Sequence, residues 1–322
     1  MGTVVLSVDA ELAWGFHDKV SPPIDRVEAG REGWRALLRA FDEHDLPATW
    51  AVVGHLFLSG CNGSHPDIPA PSGWFLAERE GELADRELFC APELVGDIGR
   101  ADAEHDLGIH TFSHVQFGAL ETTASLARTE IEVAVDVARQ AGFDPVSFVF
   151  PRNDVGHRDE LADSPIRCYR GVRPEGEGGG LAGRGGKLRA AALGPGAPPL
   201  VEPTVDEYGL VDIPASLYLY GFQGVGRRVA SLLREDPVVG AVRSGLEAAA
   251  ERDGVLHLWL HPNNLVTERD HQRIRRVCEL VARYRDEEGV DVETMRTVAS
   301  RTLASRADTA SNDPKPTDPQ SP

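Results

Sequence analysis

Val4-Val5-Leu6-Ser7-Val8-Asp9-Ala10-Glu11 reads as a buried strand that runs into two carboxylates. An apolar, largely β-branched run of this length suits a strand covered on both faces. Asp9 and Glu11 lie two residues apart on extended chain and point to the same side, so one site can receive both. Ala10 between them and Leu12-Ala13-Trp14 after them argue against a simple polar turn. Working outward, Trp34, Leu37, Leu38 and Phe41 follow at helical spacing, Asp45-Leu46-Pro47 breaks that pattern, and Ala48 to Val53 reads as a second buried strand.

The alternation continues with a helix near Pro92 to Ile98, a short apolar stretch ahead of His110, a long helix from Thr122 to Gln140 and a strand from Val146 to Phe150. Further strands are expected around Ile166 to Val172, Val211 to Pro214 and Val255 to His261, with helices over Val225 to Arg234, Val238 to Arg252 and Asp270 to Arg285. Nearly all-apolar strands alternating with amphipathic helices predict a parallel sheet covered by helices, in a barrel-like or doubly wound α/β domain of about seven βα units. Two stretches interrupt it. Residues 59–90, rich in Gly and Pro and carrying Trp74 and Phe75, read as a loop excursion that shapes a cleft rim. Residues 174–203, with Gly178-Gly179-Gly180 and Gly194-Pro195-Gly196, read as a mobile insertion within one domain spanning 1–304. The remainder, 305–322, is mostly Ser, Asp, Pro and Thr without apolar periodicity and is expected to be a disordered tail.

The 322 residues, 41% hydrophobic, suffice to bury a full α/β core. A net charge of -18 opposes sequence-independent binding to nucleic acid, because a phosphate backbone would be repelled over most of the surface. No apolar run approaches the length of a membrane span, and Met1 to Val8 lacks the basic segment of a signal peptide, so a cytoplasmic protein is expected. Cys61, Cys90, Cys168 and Cys278 show no C-x-x-C spacing; neither a zinc ribbon nor a redox motif is indicated, and all four read as reduced thiols.

Candidate chemistry sits where strands end. In His110-Thr111-Phe112-Ser113-His114, two imidazoles four residues apart can close on one metal ion from the same side of a helical turn, a geometry suited to Zn²⁺ and its borderline relatives. His261 ends the run Leu256-His257-Leu258-Trp259-Leu260 at a strand mouth, whereas His257, on the same face, reads as a deeper, hydrogen-bonded core histidine. Phe150-Pro151-Arg152-Asn153 closes another strand with an arginine able to hold a carboxylate in a two-pronged pair. Trp14, Phe112 and Trp259 offer either exposed stacking faces or core packing.

Ser7-Val8-Asp9-Ala10-Glu11, His110-Thr-Phe-Ser-His114, Phe150-Pro-Arg-Asn153 and Leu258-Trp-Leu-His261-Pro262 together resemble, in order, the successive motifs of the polysaccharide deacetylase family, which has the NodB homology domain and is also called carbohydrate esterase family 4. The resemblance covers roughly residues 3 to 300; its histidine motif is the most specific part, and its first and third motifs are variants. It implies a distorted (β/α)₇ barrel and metal-dependent removal of an acetyl group from an N-acetylated carbohydrate. The family's first motif has adjacent aspartates, a base and a metal ligand. Here Asp9 matches the first and Ala10 occupies the second place, so Glu11 becomes the carboxylate ligand beside His110 and His114, as in members with an Asp-x-Asp arrangement; failing that, Asp9 binds the metal and the base is open. The implied cofactor is a divalent ion, Zn²⁺ first, with Co²⁺, Ni²⁺ or Mn²⁺ as alternatives.

On this reading Asp9, oriented by Arg152, takes a proton from water, and His261 donates one to the leaving amine. Trp14, Asn153 and Asp212 complete the substrate side; Asp212, in Leu210-Val211-Asp212-Ile213-Pro214, matches the family's later acidic motif as a partner that raises a histidine pKa, or serves as a cap or turn residue. The expected substrate is a polysaccharide, a lipid-linked glycan precursor, a nucleotide sugar or a small N-acetylated molecule. Two other readings keep the fold: hydrolysis of a cyclic amide, as in allantoinase-like relatives, and glycan binding without catalysis.

Overall fold

The structure, a computed structural model, describes residues 1–78, 80, 86–172, 197–221 and 236–312. Among these, ten strands form one curled mixed sheet: β1 (Thr3–Ala10), β2 (Thr49–Val52), β3 (Asp106–Ile109), β4 (Ser147–Val149), β5 (Cys168–Arg170), β6 (Thr204–Val205), β7 (Val211–Asp212), β8 (Leu217–Tyr218), β9 (Val255–Leu260) and β10 (Asp291–Glu293). Their order is β6-β7-β5-β4-β3-β2-β1-β9-β8, with β10 beside the first half of β1. Only β6 and β7 pair antiparallel; the other pairs are parallel. This is a distorted (β/α) barrel, as the resemblance implied.

All eight residues of β1 are buried, as a strand flanked on both edges and covered on both faces must be. Its alternation separates two environments. Val4, Leu6, Val8 and Ala10 join the large cluster under the helices, whereas Val5 packs with Ala51, Val149, Cys168, Val211, Val255, Met295 and Val298. Along this inner row the residues become polar toward the C-terminal end of the strand: Val5, then Ser7, then Asp9. The register sets Ser7 opposite Trp259 and Asp9 opposite Ala51, so the polar ends of several parallel strands converge at one mouth.

The longer helices are α1 (Ile24–Glu43), α2 (Pro92–Ile98), α3 (Ala124–Gln140), α4 (Pro237–Glu251), α5 (Glu268–Glu288) and α6 (Met295–Asn312). Local chemistry fixes their ends: the Thr123 side chain caps α3, Asp236 caps α4 ahead of Pro237, and α5 starts with a Thr267/Asp270 capping box and stops at Gly289 in the left-handed region, φ 70°. The start of α6 seals the N-terminal mouth: Thr49 Oγ1 accepts from the Met295 N–H at 2.8 Å, and Arg296 Nε donates to Asp106 at 3.0 Å.

Several expectations change. Helix α6 continues through Asn312, so residues 305–312 are helical rather than disordered, although their described side chains are solvent-exposed. Within 174–203, Val201 bridges to Val255 and is buried; residues 174–196 and the helix expected over Val225 to Arg234 lie outside the described residues. Among the described residues no helix is long and apolar enough to cross a membrane.

Candidate active site

Asp9 lies at the end of β1 and Glu11 just beyond it, His110 follows β3, Arg170 ends β5 and His261 follows β9. Active sites of barrel enzymes collect at this C-terminal face. Glu11 spans the centre: Oε2 lies 3.0 Å from His114 Nε2 and 3.6 Å from His110 Nε2, while Oε1 lies 3.6 Å from His261 Nε2. All three of Glu11, His110 and His114 are buried, and their ligand atoms lie within 4.8 Å of one another. The donor chemistry fits a divalent cation. His110 Nδ1–H donates to the Val149 carbonyl at 2.8 Å, which leaves Nε2 as the free lone pair; that atom is buried, has no hydrogen-bond partner and faces the carboxylate. Burial would raise the Glu11 pKa, but His261, His110 and His114 together hold it well below the usual carboxylate range. Burial also depresses His114, against the pull of Glu11, so its ring favours the neutral form a metal requires.

The histidine segment is a strained turn rather than the helical turn expected. Thr111 and His114 both have positive φ, 57° and 65°, which costs a non-glycine residue roughly 1–2 kcal/mol each. A buried carboxylate on α3 holds this turn: Glu130 accepts the Phe112 N–H at 2.9 Å, the Ser113 N–H at 2.7 Å and the Ser113 hydroxyl at 2.6 Å. Burial nevertheless pushes its pKa up to about 7 despite these donors.

Asp9 is clamped by Arg170. Nη1 and Nη2 donate to its two oxygens at 2.6 and 2.7 Å, in a bidentate pair with both side chains buried. Arg170 also donates to Ser7 Oγ and to Asn153 Oδ1, and its guanidinium lies 4.3 Å from the Trp259 ring centroid. Burial alone would raise the Asp9 pKa; Arg170, aided by His261 and His110, outweighs it and keeps the carboxyl below its usual range. His261 Nε2 sits 3.6 Å from Asp9 Oδ2, and its Nδ1 meets the Tyr218 hydroxyl at 3.2 Å. Asn264 fixes that hydroxyl and binds the His261 backbone N–H.

With this geometry in hand, solved structures offer a comparison. A protein from Mycobacterium smegmatis described as a polysaccharide deacetylase superposes with a TM-score of 0.61 over 94% of this chain and 91% of its own, at 18% identity. One from Pseudomonas aeruginosa, described likewise, gives 0.57 over 92% and 89% at 12% identity. The chain has the polysaccharide deacetylase fold. PuuE allantoinase shares that fold at a TM-score of 0.57, covering 94% of this chain and 89% of its own at 13% identity. No protein-family model matches the sequence, and no curated protein sequence matches it.

On this polysaccharide deacetylase fold, Asp9, Glu11, His110, His114 and His261 converge. Four other expected residues are placed differently. Arg152 does not orient Asp9: its Nη2 binds Asp18 at 2.6 Å, because the chain turns through left-handed conformations at Arg152 and Asn153, φ 56° and 55°. Arg170 takes that role, and Asn153 supports Arg170. Trp14 offers no sugar platform, since it is 0% exposed and its indole N–H donates to the Phe89 carbonyl; Phe112 is likewise buried. Asp212 lies against Gly171, Tyr169 and Asp206 rather than a site histidine, and burial together with Asp206 raises its pKa to about 6. Arg170, Glu130 and Tyr218 were absent from the sequence reading. The first two carried a signal: Arg170 is a charge in a buried strand, and Glu130 falls on the apolar face of α3 beside Leu126, Ala127, Ile131 and Ala134.

Proposed function

We propose that this protein is a metal-dependent hydrolase that removes the acetyl group from an N-acetylated carbohydrate. The observation that carries the reading is the convergence of Glu11, His110 and His114 on one point, with a separate carboxylate, Asp9, and a separate imidazole, His261, beside it. Glu11, His110 and His114 would hold the divalent ion, Zn²⁺ by donor type, with Co²⁺, Ni²⁺ or Mn²⁺ as alternatives. When bound, such an ion supplies Lewis acidity that polarises an amide carbonyl and acidifies water.

The chain's own residues supply the proton transfers. Asp9, held by Arg170 and ionised, accepts a proton from the attacking water. His261, oriented by Tyr218 and Asn264, donates a proton to the departing amine nitrogen. Separate acid and base are needed because an amine leaves amide hydrolysis only once protonated.

The test is metal analysis of the purified protein followed by acetate release from a panel of N-acetylated sugars. Glu11→Ala should lose the ion held with His110 and His114. Asp9→Asn should keep it and lose roughly 10²–10⁴-fold in rate. The reverse outcome would exchange the roles of the two carboxylates. A second reading, hydrolysis of a cyclic amide, draws support from the fold shared with PuuE allantoinase. Turnover of a cyclic amide that persists after complete metal removal would favour it over deacetylation.

A further inference from the structure

The excursion after β2 carries a second cluster of metal-ligand residues, apart from the proposed catalytic groups. His55 follows β2 in a short 3₁₀ turn, Cys61 and His65 come from the loop beyond it, and Glu78 ends another 3₁₀ turn. One ligand atom from each lies within 4.8 Å of all the others. His65 Nε2 is 3.3 Å from His55 Nε2 and 3.1 Å from Cys61 Sγ. The Glu78 carboxylate places Oε2 3.1 Å from His55 Nε2 and Oε1 3.4 Å from His65 Nε2.

Hydrogen bonds within the cluster leave part of it unsatisfied. His55 Nδ1–H is committed to the Phe89 carbonyl at 2.9 Å, so in the neutral ring, the form a metal requires, its Nε2 is the lone pair facing another ring nitrogen, a sulfur and a carboxylate. Glu78 has a side chain only 5% exposed, and its Oε1 lacks a hydrogen-bond partner. The Gly63 N–H points at Cys61 Sγ from 3.1 Å, the contact a thiolate attracts. Metal–nitrogen distances of about 2.0–2.1 Å and metal–sulfur distances of about 2.3 Å require tetrahedral ligands to stand roughly 3.3–3.6 Å apart. The four separations given above, 3.1 to 3.4 Å, lie close to that range, and every pair of ligand atoms stays within 4.8 Å before any ion draws them into register.

We propose that His55, Cys61, His65 and Glu78 form a second, closed, four-ligand site for a divalent ion of the Zn²⁺ type, structural rather than catalytic. Two imidazoles, a thiolate and a carboxylate make the mixed, borderline-soft set that suits Zn²⁺, and four protein ligands leave no open position. Loading converts the Cys61 thiol to thiolate and releases its proton to solvent. The ion ties the excursion to the barrel rim. His65 packs on Phe75 and Phe112, and the neighbouring Trp74 donates its indole N–H to the Ser113 carbonyl at 3.1 Å, within the His110–His114 turn. The second site therefore braces the turn that carries the catalytic histidines.

Cobalt distinguishes the two sites, because only this one contains sulfur. Metal-free full-length protein titrated with Co²⁺ should bind two equivalents, one of them bringing a near-ultraviolet thiolate-to-cobalt band. Cys61→Ser should abolish that band and one equivalent, while Cys90→Ser leaves both. His110→Ala should lose the other equivalent and keep the band, so failure of the catalytic reading and failure of this one are separable. Zn²⁺ should raise the melting temperature of His110→Ala. If Cys61→Ser does not fold, the wild-type titration still decides: saturation without a thiolate band overturns the site, as does a band that survives Cys61→Ser in folded protein.

Discussion

Arg170 is the residue on which the acid–base half of the site depends. Its guanidinium and the Asp9 carboxylate are both withdrawn from water, so each is tolerable only because the other is present. Arg170→Met should destabilise the protein by about 3–5 kcal/mol in urea unfolding, since it leaves a buried carboxylate without a counter-charge. The double variant Asp9→Asn, Arg170→Met should regain most of that stability and remain inactive; a single variant as stable as the parent would show the pair to be dispensable. Arg152→Ala should cost no more than about 1 kcal/mol, because its pair with Asp18 is partly solvated. The contrast shows where sequence reading stopped. Asp9, Glu11, His110, His114 and His261 were legible because each follows an apolar run that could only be a buried strand. Choosing between Arg152 and Arg170 depends on the conformation after β4, where two positive φ angles turn Arg152 toward Asp18. The excursion's ligand set, His-x₅-Cys-x₃-His-x₁₂-Glu, was passed over because only one of its members is cysteine and the loop's folding brings Glu78 back.

At the scale of elements, α1 is what places His261. Gly33 of α1 has its Cα so close to the Pro262 carbonyl that an added methyl group would collide with backbone, and Gly30 sits against Asn263. Asn263 in turn donates to the Leu12 and Arg26 carbonyls, tying the turn after β9 to the 3₁₀ turn that follows β1 and to α1. Gly33→Ala should therefore cost about 1–3 kcal/mol and lower turnover, because backbone rather than a flexible side chain must move. A gain in stability, the usual result of Gly→Ala in a helix, would refute the contact. The sequence pattern located α1 by its apolar spacing but gave no account of Gly30 and Gly33, whose role appears only when another chain segment passes across them. The long buried strands were legible for the opposite reason: their burial is written in their own composition. Strands β8 and β10 are two and three residues long and acquire strand form from their neighbours β9 and β1, so no local period announced them.

Over the whole molecule, both ends of the barrel bury charged groups, Asp106 at the N-terminal end and Asp9 and Glu11 at the C-terminal mouth, and buried histidines between and beside them set part of the response to acid. His257 lies midway, bonded to Ser7 Oγ and the Ile213 carbonyl, and burial holds its pKa down to about 3. His105, in the turn before β3, packs against Phe41 and Trp50 and accepts the Ala48 N–H at Nδ1, at 3.2 Å; burial holds it down to about 4 against the opposing pull of Asp42. A histidine whose folded pKa is depressed takes up a proton in the unfolded chain first. Its contribution to stability is therefore intact above 6.5 and declines as pH falls from 6.5 toward the folded value. For His105 the loss amounts to at most about 3 kcal/mol once pH reaches 4. His105→Asn can still offer an oxygen to the Ala48 N–H but cannot be charged. The difference in unfolding free energy between the parent and this variant should be constant from pH 8 to 7 and then shift in the variant's favour between pH 6.5 and 4. Parallel curves across that interval would mean that His105 titrates alike in the folded and unfolded chains.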